Sequence, residues 1–116
     1  MFIRILSIIF ISFSHMAMAN IDSEIGHLLN YVKTTDCSYE RNGKRHSGIE
    51  AYKHIKRKSD YYEDEIESAE DFIQYSATKS KMSGKYYLIH CPSQPVVKSR
   101  DWLLIELAKF RNMGKG

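Results

Sequence analysis

Only two cysteines, no apolar run of the ~20 residues that a membrane-crossing helix needs, no strong excess of one charge and no internal repeat occur in the 116 residues. Each absence closes a class of function. There is no C-x-x-C spacing for thiol redox work, no G-x-S-x-G elbow for a nucleophilic serine, and no H-x-x-x-H or H-E-x-x-H pair for a metal. Phosphate-loop and dinucleotide glycine patterns are missing too, so neither a metal nor a cofactor is expected. The net charge is only +3. A nucleic-acid surface calls for a strong basic patch with interleaved aromatics, whereas Lys53, Lys56, Arg57 and Lys58 run straight into Glu63, Asp64, Glu65 and Glu67. That pattern reads as the solvated surface of a helix, and no nucleic-acid partner is expected.

What the chain does carry begins at its N-terminus. Arg4, the apolar run Ile5 to Phe13 and the small-residue site Ala17-Met18-Ala19 form the three parts of a secretory signal. Cleavage after Ala19 is expected, dividing the chain into a signal peptide (1–19) and one domain (20–116) with no linker long enough to split it. No cysteine follows the site to take a lipid, so the mature domain is expected to be periplasmic or secreted and free of the membrane.

A domain of this size has a modest core, and a covalent staple would matter to it. Cys37 and Cys91 are an even pair in an exported protein, which favours a structural disulfide over a free redox thiol. Bridged cysteines need α-carbons within about 7 Å, so a strand ending at Cys91 is expected beside one starting at Cys37.

Ile21, Ile25, Leu28, Leu29 and Val32 recur at helical spacing and predict a helix over Asp22 to Lys33, capped by Asp22 or Ser23. The stretch from Cys37 to Arg41 alternates and meets Asn42-Gly43, the dipeptide suited to a tight hairpin turn, with Lys44 to His46 returning as a short edge strand. Ser47-Gly-Ile-Glu50 fits a capping box. The long helix behind it should bury Tyr52, Ile55, Tyr62 and Ile66 and break near Glu67, where Ser68 caps a third helix carrying Ala69, Phe72, Ile73 and Ala77 inward. Tyr86 to Cys91 alternates as a strand with Tyr87, Ile89 and Cys91 on one face and Tyr86, Leu88 and His90 on the other. Pro92 and Pro95 mark a loop leaving the sheet, and Ser99 is expected to cap the last helix. The fold class is therefore α+β: a small antiparallel sheet of two to three strands, packed by three to four helices and stapled by one disulfide.

Four motifs stand out: Arg41-Asn42-Gly43, Glu50-Ala51-x-x-His54-Ile55-x-x-Lys58, Ser68-Ala69-Glu70-Asp71-Phe72-Ile73 and Ser80-x-x-Ser83-Gly84-Lys85-x-Tyr87. Together, and in this order, they resemble a family of small exported proteobacterial proteins classed as a domain of unknown function, which includes a periplasmic protein of enteric bacteria. The resemblance implies a periplasmic, single-domain protein and carries no activity with it. Cys37 and Cys91 match a pair found in some members of that family, which suits a stabilising bridge.

Glu50, His54 and Lys58 are spaced four apart and stack along one side of the long helix. At ~100° per residue, His54 lies roughly 110° from the centre of the apolar stripe, at the border of core and solvent. With Arg41 brought near by the hairpin, two arrangements are open: a polar cleft with His54 as general base oriented by Glu50 and an anion held by Lys58 and Arg41, or a ladder of ordinary surface ion pairs. On the sheet, Tyr86 with Leu88 and His90 is the candidate for an exposed binding strip. The expected function is a non-catalytic binding or protein-interaction module of the cell envelope, its partner another envelope protein. The alternatives are a small hydrolase or lyase using His54 with Glu50, Lys58 and Arg41, and an immunity-type inhibitor of a toxin. Oligomeric state is left open.

Overall fold

The computed structural model of the chain describes residues 14–114. The expected signal's Arg4 and its apolar run lie outside the described residues. The element order is α1 (Ser14–Lys33), β1 (Ser38–Arg41), β2 (Lys44–His46), α2 (Gly48–Tyr61), a 3-10 turn (Glu63–Glu65), α3 (Ala69–Ser76), β3 (Leu88–His90), β4 (Val97–Lys98) and α4 (Ser99–Met113). The strands form one antiparallel sheet in the order β2-β1-β3-β4. The α+β class is the one read from the sequence, with four strands instead of two to three. Two-residue β4 is the addition: it pairs Lys98 with Leu88 and Val97 with Ile89, and two residues are too few to show an alternating pattern.

Local chemistry accounts for most element ends. Asn42 and Gly43 take positive φ of 54° and 81°, which turns β1 into β2 as the dipeptide predicts. Ser47 and Glu50 form the full capping box at the start of α2, and the Ser68 side chain accepts from the Asp71 amide at the start of α3. Helix α1 does not start at Asp22: among the described residues it already runs from Ser14. The Met-Ala stretch before Asp22 is made of strong helix formers, and Asp22 is exposed, so nothing stops the helix there. Helix α2 stops at Tyr61, earlier than Glu67, because the carboxylates of Glu63, Asp64, Glu65 and Glu67 would crowd the negative end of its dipole.

Ser99 is not a cap. Lys98 holds that position without a side-chain bond, while the Ser99 amide donates to the Tyr87 carbonyl at 2.9 Å and its buried hydroxyl bonds the hydroxyl of Tyr39. Burial pushes the Tyr39 phenol well above its ordinary range. The start of α4 is thereby fastened to the inner face of the sheet.

One sheet face, through Tyr39, Tyr87 and Ile89, meets Leu28, Val32, Ile55, Phe72, Ile73, Leu103 and Leu107 from the four helices. Each such side chain contributes about 1.5–3 kcal/mol of transfer free energy. The other face carries Glu40, Tyr86, Leu88, His90 and Lys98, none of them buried. Cys37 and Cys91 are bonded, 54 residues apart with α-carbons at 4.3 Å, in line with the Ser38–His90 register. Closing that loop stabilises the fold by about 4 kcal/mol in the chain-entropy account.

Gly48 sits where α2 leaves its cap against the end of α1. A Cβ there would lie 2.5 Å from the Val32 carbonyl oxygen and 3.1 Å from the Thr35 methyl. Backbone cannot yield cheaply, so Gly48→Ala should cost about 1–3 kcal/mol by overpacking, despite the better helix propensity of alanine. Urea unfolding would measure it; an unchanged or raised midpoint would show that α1 and α2 separate freely.

Candidate functional site

The site forms where α2, the β1–β2 hairpin and the segment before β3 meet. The side chain of Tyr87 alternates inward and is 2 % exposed, leaving one polar atom at the edge of the core. A buried phenol needs partners. It finds Lys58 Nζ at 3.0 Å and His54 Nε2 at 3.2 Å, both projecting from α2 one turn apart. Lys58 also donates to the Lys79 carbonyl at 3.1 Å, and its ammonium lies 5.0 Å from the Tyr87 ring centre.

The loop ahead of β3 is held to the hairpin by a polar clamp. Ser83 Oγ donates to Asn42 Oδ1 at 2.6 Å, Asn42 Nδ2 donates to Ser80 Oγ at 3.5 Å, and the Ser83 amide donates to Ser80 Oγ at 3.2 Å. Asn42 belongs to the turn that follows Arg41, so the same clamp sets Arg41 beside the α2 residues. Gly84 takes φ 75° to close the loop.

The electrostatics are those of a cation cluster without an acid. Burial, then the charges of Arg41, Lys58, Arg57 and His46, push the His54 imidazole down to about 4. Burial lowers the Lys58 ammonium too, with Arg41 and Lys81 acting in the same direction. The Tyr87 phenol is raised by burial. No carboxylate is among the charges that shift any of the three. With His54 neutral, the Tyr87 hydroxyl accepts from Lys58 and donates to Nε2, which assigns the imidazole proton to Nδ1.

Of the five binding residues expected, Arg41, His54 and Lys58 share this place. Glu50 does not. Its carboxylate accepts from the Ser47 amide at 3.0 Å and lies 3.6 Å from His46, and the cap bond holds it below the usual carboxylate range. The Glu50–His54–Lys58 ladder is therefore not formed. Tyr86 lies on the opposite sheet face, 44 % exposed, with the Lys98 ammonium 4.2 Å from its ring centre and His90 bonded to Glu40 at 2.6 Å alongside. Sequence reasoning missed Tyr87 as the junction. Its inward alternation next to a polar helix border was the available signal. Among the described residues no three His, Cys, Asp or Glu side chains are grouped to hold a metal. A groove of about 270 Å³ between α3 and α4, lined by Glu70, Asp71, Ile73, Gln74, Arg100 and Leu104, is separate from these residues.

Residues 19–111 match the model of a family of unknown function, DUF5329. The chain belongs to that family. No curated protein and no solved structure matches it. Three of the four motifs singled out in this sequence meet at the site, through Arg41 and Asn42, His54 and Lys58, and Ser80, Ser83 and Tyr87. The fourth builds α3, where Ser68 caps, Phe72 and Ile73 fill the core and Glu70 pairs with Arg111 at 2.7 Å. Among the described residues no helix is long and apolar enough to cross a membrane.

The depressed His54 has a consequence for stability. Its folded value near 4 lies below the ordinary 6.5, so between those values the unfolded chain binds more protons than the folded one. This group's contribution is present above pH 6.5 and is lost as pH falls toward 4. The thermal midpoint of the domain should drop over that window, and His54→Gln should flatten the drop. Equal slopes in the two proteins would mean that His54 titrates normally in the fold.

Proposed function

We propose that the DUF5329 domain is a non-catalytic binding module of the cell envelope, exported with removal of residues 1–19, which holds an anionic group of its partner at Arg41, His54 and Lys58. The observation that carries this reading is the cation cluster itself: two permanent positive charges and a neutral imidazole N–H, oriented from behind by the Tyr87 hydroxyl and faced by no carboxylate. A guanidinium and an ammonium with separate donor directions suit a carboxylate or phosphate group. Supplying that group would relieve the repulsion that the cluster now bears.

The same geometry argues against the hydrolase or lyase reading. A general base works best with a pKa near the operating pH, and His54 is pushed down to about 4 with its Nε2 already occupied by Tyr87. Glu50, the residue that would orient it, is committed to the helix cap. Export is supported by the three-part N-terminus, by the Cys37–Cys91 bond, which suits an oxidising compartment, and by a family match that begins at residue 19. Intact mass of the protein recovered from a periplasmic fraction should correspond to a chain starting at Asn20; a retained leader would overturn the export assignment.

Titration with succinate, followed by NMR, tests the binding assignment. The His54 and Arg41 side-chain signals should move, His54 should titrate at higher pH in the complex, and Arg41→Ala and Lys58→Met should each weaken binding about tenfold, a loss of about 1.4 kcal/mol. Lys56→Met, on an ion pair with Asp60 at 2.7 Å away from the cluster, should leave binding unchanged. Equal weakening by all three substitutions would reduce the effect to net charge and end the reading.

A further inference from the structure

Next to the cation cluster, α2 ends in an aromatic platform. Tyr62 is four residues beyond Lys58, so the two lie on one side of the helix a turn apart, and the Tyr62 hydroxyl acts electrostatically on both Lys58 and Tyr87. Tyr61 meets Tyr62 edge-on with ring centres 4.9 Å apart, and Tyr75 of α3 lies 5.2 Å from it, tilted by 31°. Lys81 holds its ammonium 5.5 Å from the Tyr62 ring centre. Tyr61 is 76 % exposed and Tyr75 37 %. Tyr62 thus joins two solvent-open phenols, with Lys58 and Lys81 both beside it, and none of the three tyrosines belongs to the buried core. Of the carboxylates beside Tyr61 and Tyr62, Glu63 acts on Lys56 and Asp60 pairs with it, while neither acts on Lys58 or Lys81.

From this juxtaposition we propose that the ligand is an acidic saccharide, its carboxylate at Arg41, His54 and Lys58 and an adjoining sugar ring laid against Tyr61 and Tyr75. The inference rests on the anion-binding reading and extends it. The C–H face of a pyranose carries slight positive charge and meets the negative face of an aromatic ring, while its rim of hydroxyls meets phenol and ammonium groups. An acidic peptide is the competing class. Peptides dock by strand addition or in grooves, and these tyrosines stand on helices, away from the edge strands β2 and β4.

Calorimetry of the whole protein with trigalacturonate, its neutral methyl ester, triglutamate and succinate decides the matter. Trigalacturonate should bind at least about tenfold more tightly than succinate, the ester and triglutamate should not reproduce that gain, and Tyr61→Ala should remove most of it while leaving succinate affinity unchanged, since stacking of this kind is worth about tenfold. Tyr61 is mostly exposed, so the variant keeps its core, and circular dichroism checks this. Trigalacturonate binding no tighter than succinate, or unaffected by Tyr61→Ala, overturns the saccharide assignment and leaves anion binding standing. Triglutamate binding as tightly as trigalacturonate overturns it in favour of an acidic peptide. No binding of either trigalacturonate or succinate overturns both readings.

Discussion

Everything at the candidate site depends on how one tyrosine is held. The amide of Tyr87 donates to the Thr78 carbonyl and its carbonyl accepts from the Ser99 amide, so the backbone is tied to the end of α3 on one side and the start of α4 on the other. Its ring lies in the core 6.2 Å from that of Tyr39, whose hydroxyl in turn bonds Ser99. With main chain and ring both fixed, the hydroxyl emerges at a defined point under α2. Lys58 and His54 are aimed by that point, because a buried oxygen left without partners would cost about 1–3 kcal/mol. Packing here orients polar chemistry that the surface alone could not.

Such a junction needs a frame that does not shift, and a small core is a weak frame. Two devices outside the core compensate. The Cys37–Cys91 bond joins β1 to β3, the strands that lead to Arg41 and away from Tyr87. Across the molecule, the Arg111 guanidinium meets Glu24 at 2.8 and 3.0 Å and Glu70 at 2.7 and 3.1 Å, joining α1, α3 and α4 through two paired contacts. Arg111 stands in the last turn of α4 and Glu70 in the first turn of α3, so each charge also complements its own helix dipole. The bonds from Arg111 hold the Glu70 carboxylate below its ordinary range.

The parts of this architecture legible in the sequence are those set by local chemistry. Asn42-Gly43 needs positive φ, Ser47 and Glu50 need each other's amides, and Cys37 with Cys91 dictates which strands are neighbours; each could be read from a few adjacent residues or one covalent constraint. The rest depended on partners far along the chain. Ser99 looks like a cap by type and position, yet its hydroxyl is claimed by Tyr39, sixty residues earlier. Glu50 stacks with His54 on a helical wheel, but the cap claims it first, since a carboxylate bonded to backbone amides gains more than one facing a neutral imidazole. β4 is held by two register pairs with β3 and has no pattern of its own. Spacing and the hairpin place Arg41, His54 and Lys58 together, while strand alternation places the residue that unites them, Tyr87, only in the core.

The placement of the acidic residues bears on why the cluster exists at all. The chain has 14 aspartates and glutamates, and three of them neutralise cations closely elsewhere: Asp60 on Lys56, and Glu24 and Glu70 on Arg111. Among the described residues no carboxylate is ion-paired with Arg41 or Lys58, although one facing His54 from α2 or from the hairpin would offset the repulsion that adds to burial in depressing both His54 and Lys58. A fold with limited stability in reserve keeps an uncompensated group of like charges only at a cost, and such costs are typical of places where a ligand completes the electrostatics. Glu50, one turn before His54 on α2, is a candidate for that neutralising role, and the capping box turns it away. The same four-residue spacing that suggests an internal ladder instead leaves His54 and Lys58 on α2 beside Arg41 with the Glu50 carboxylate turned away from them.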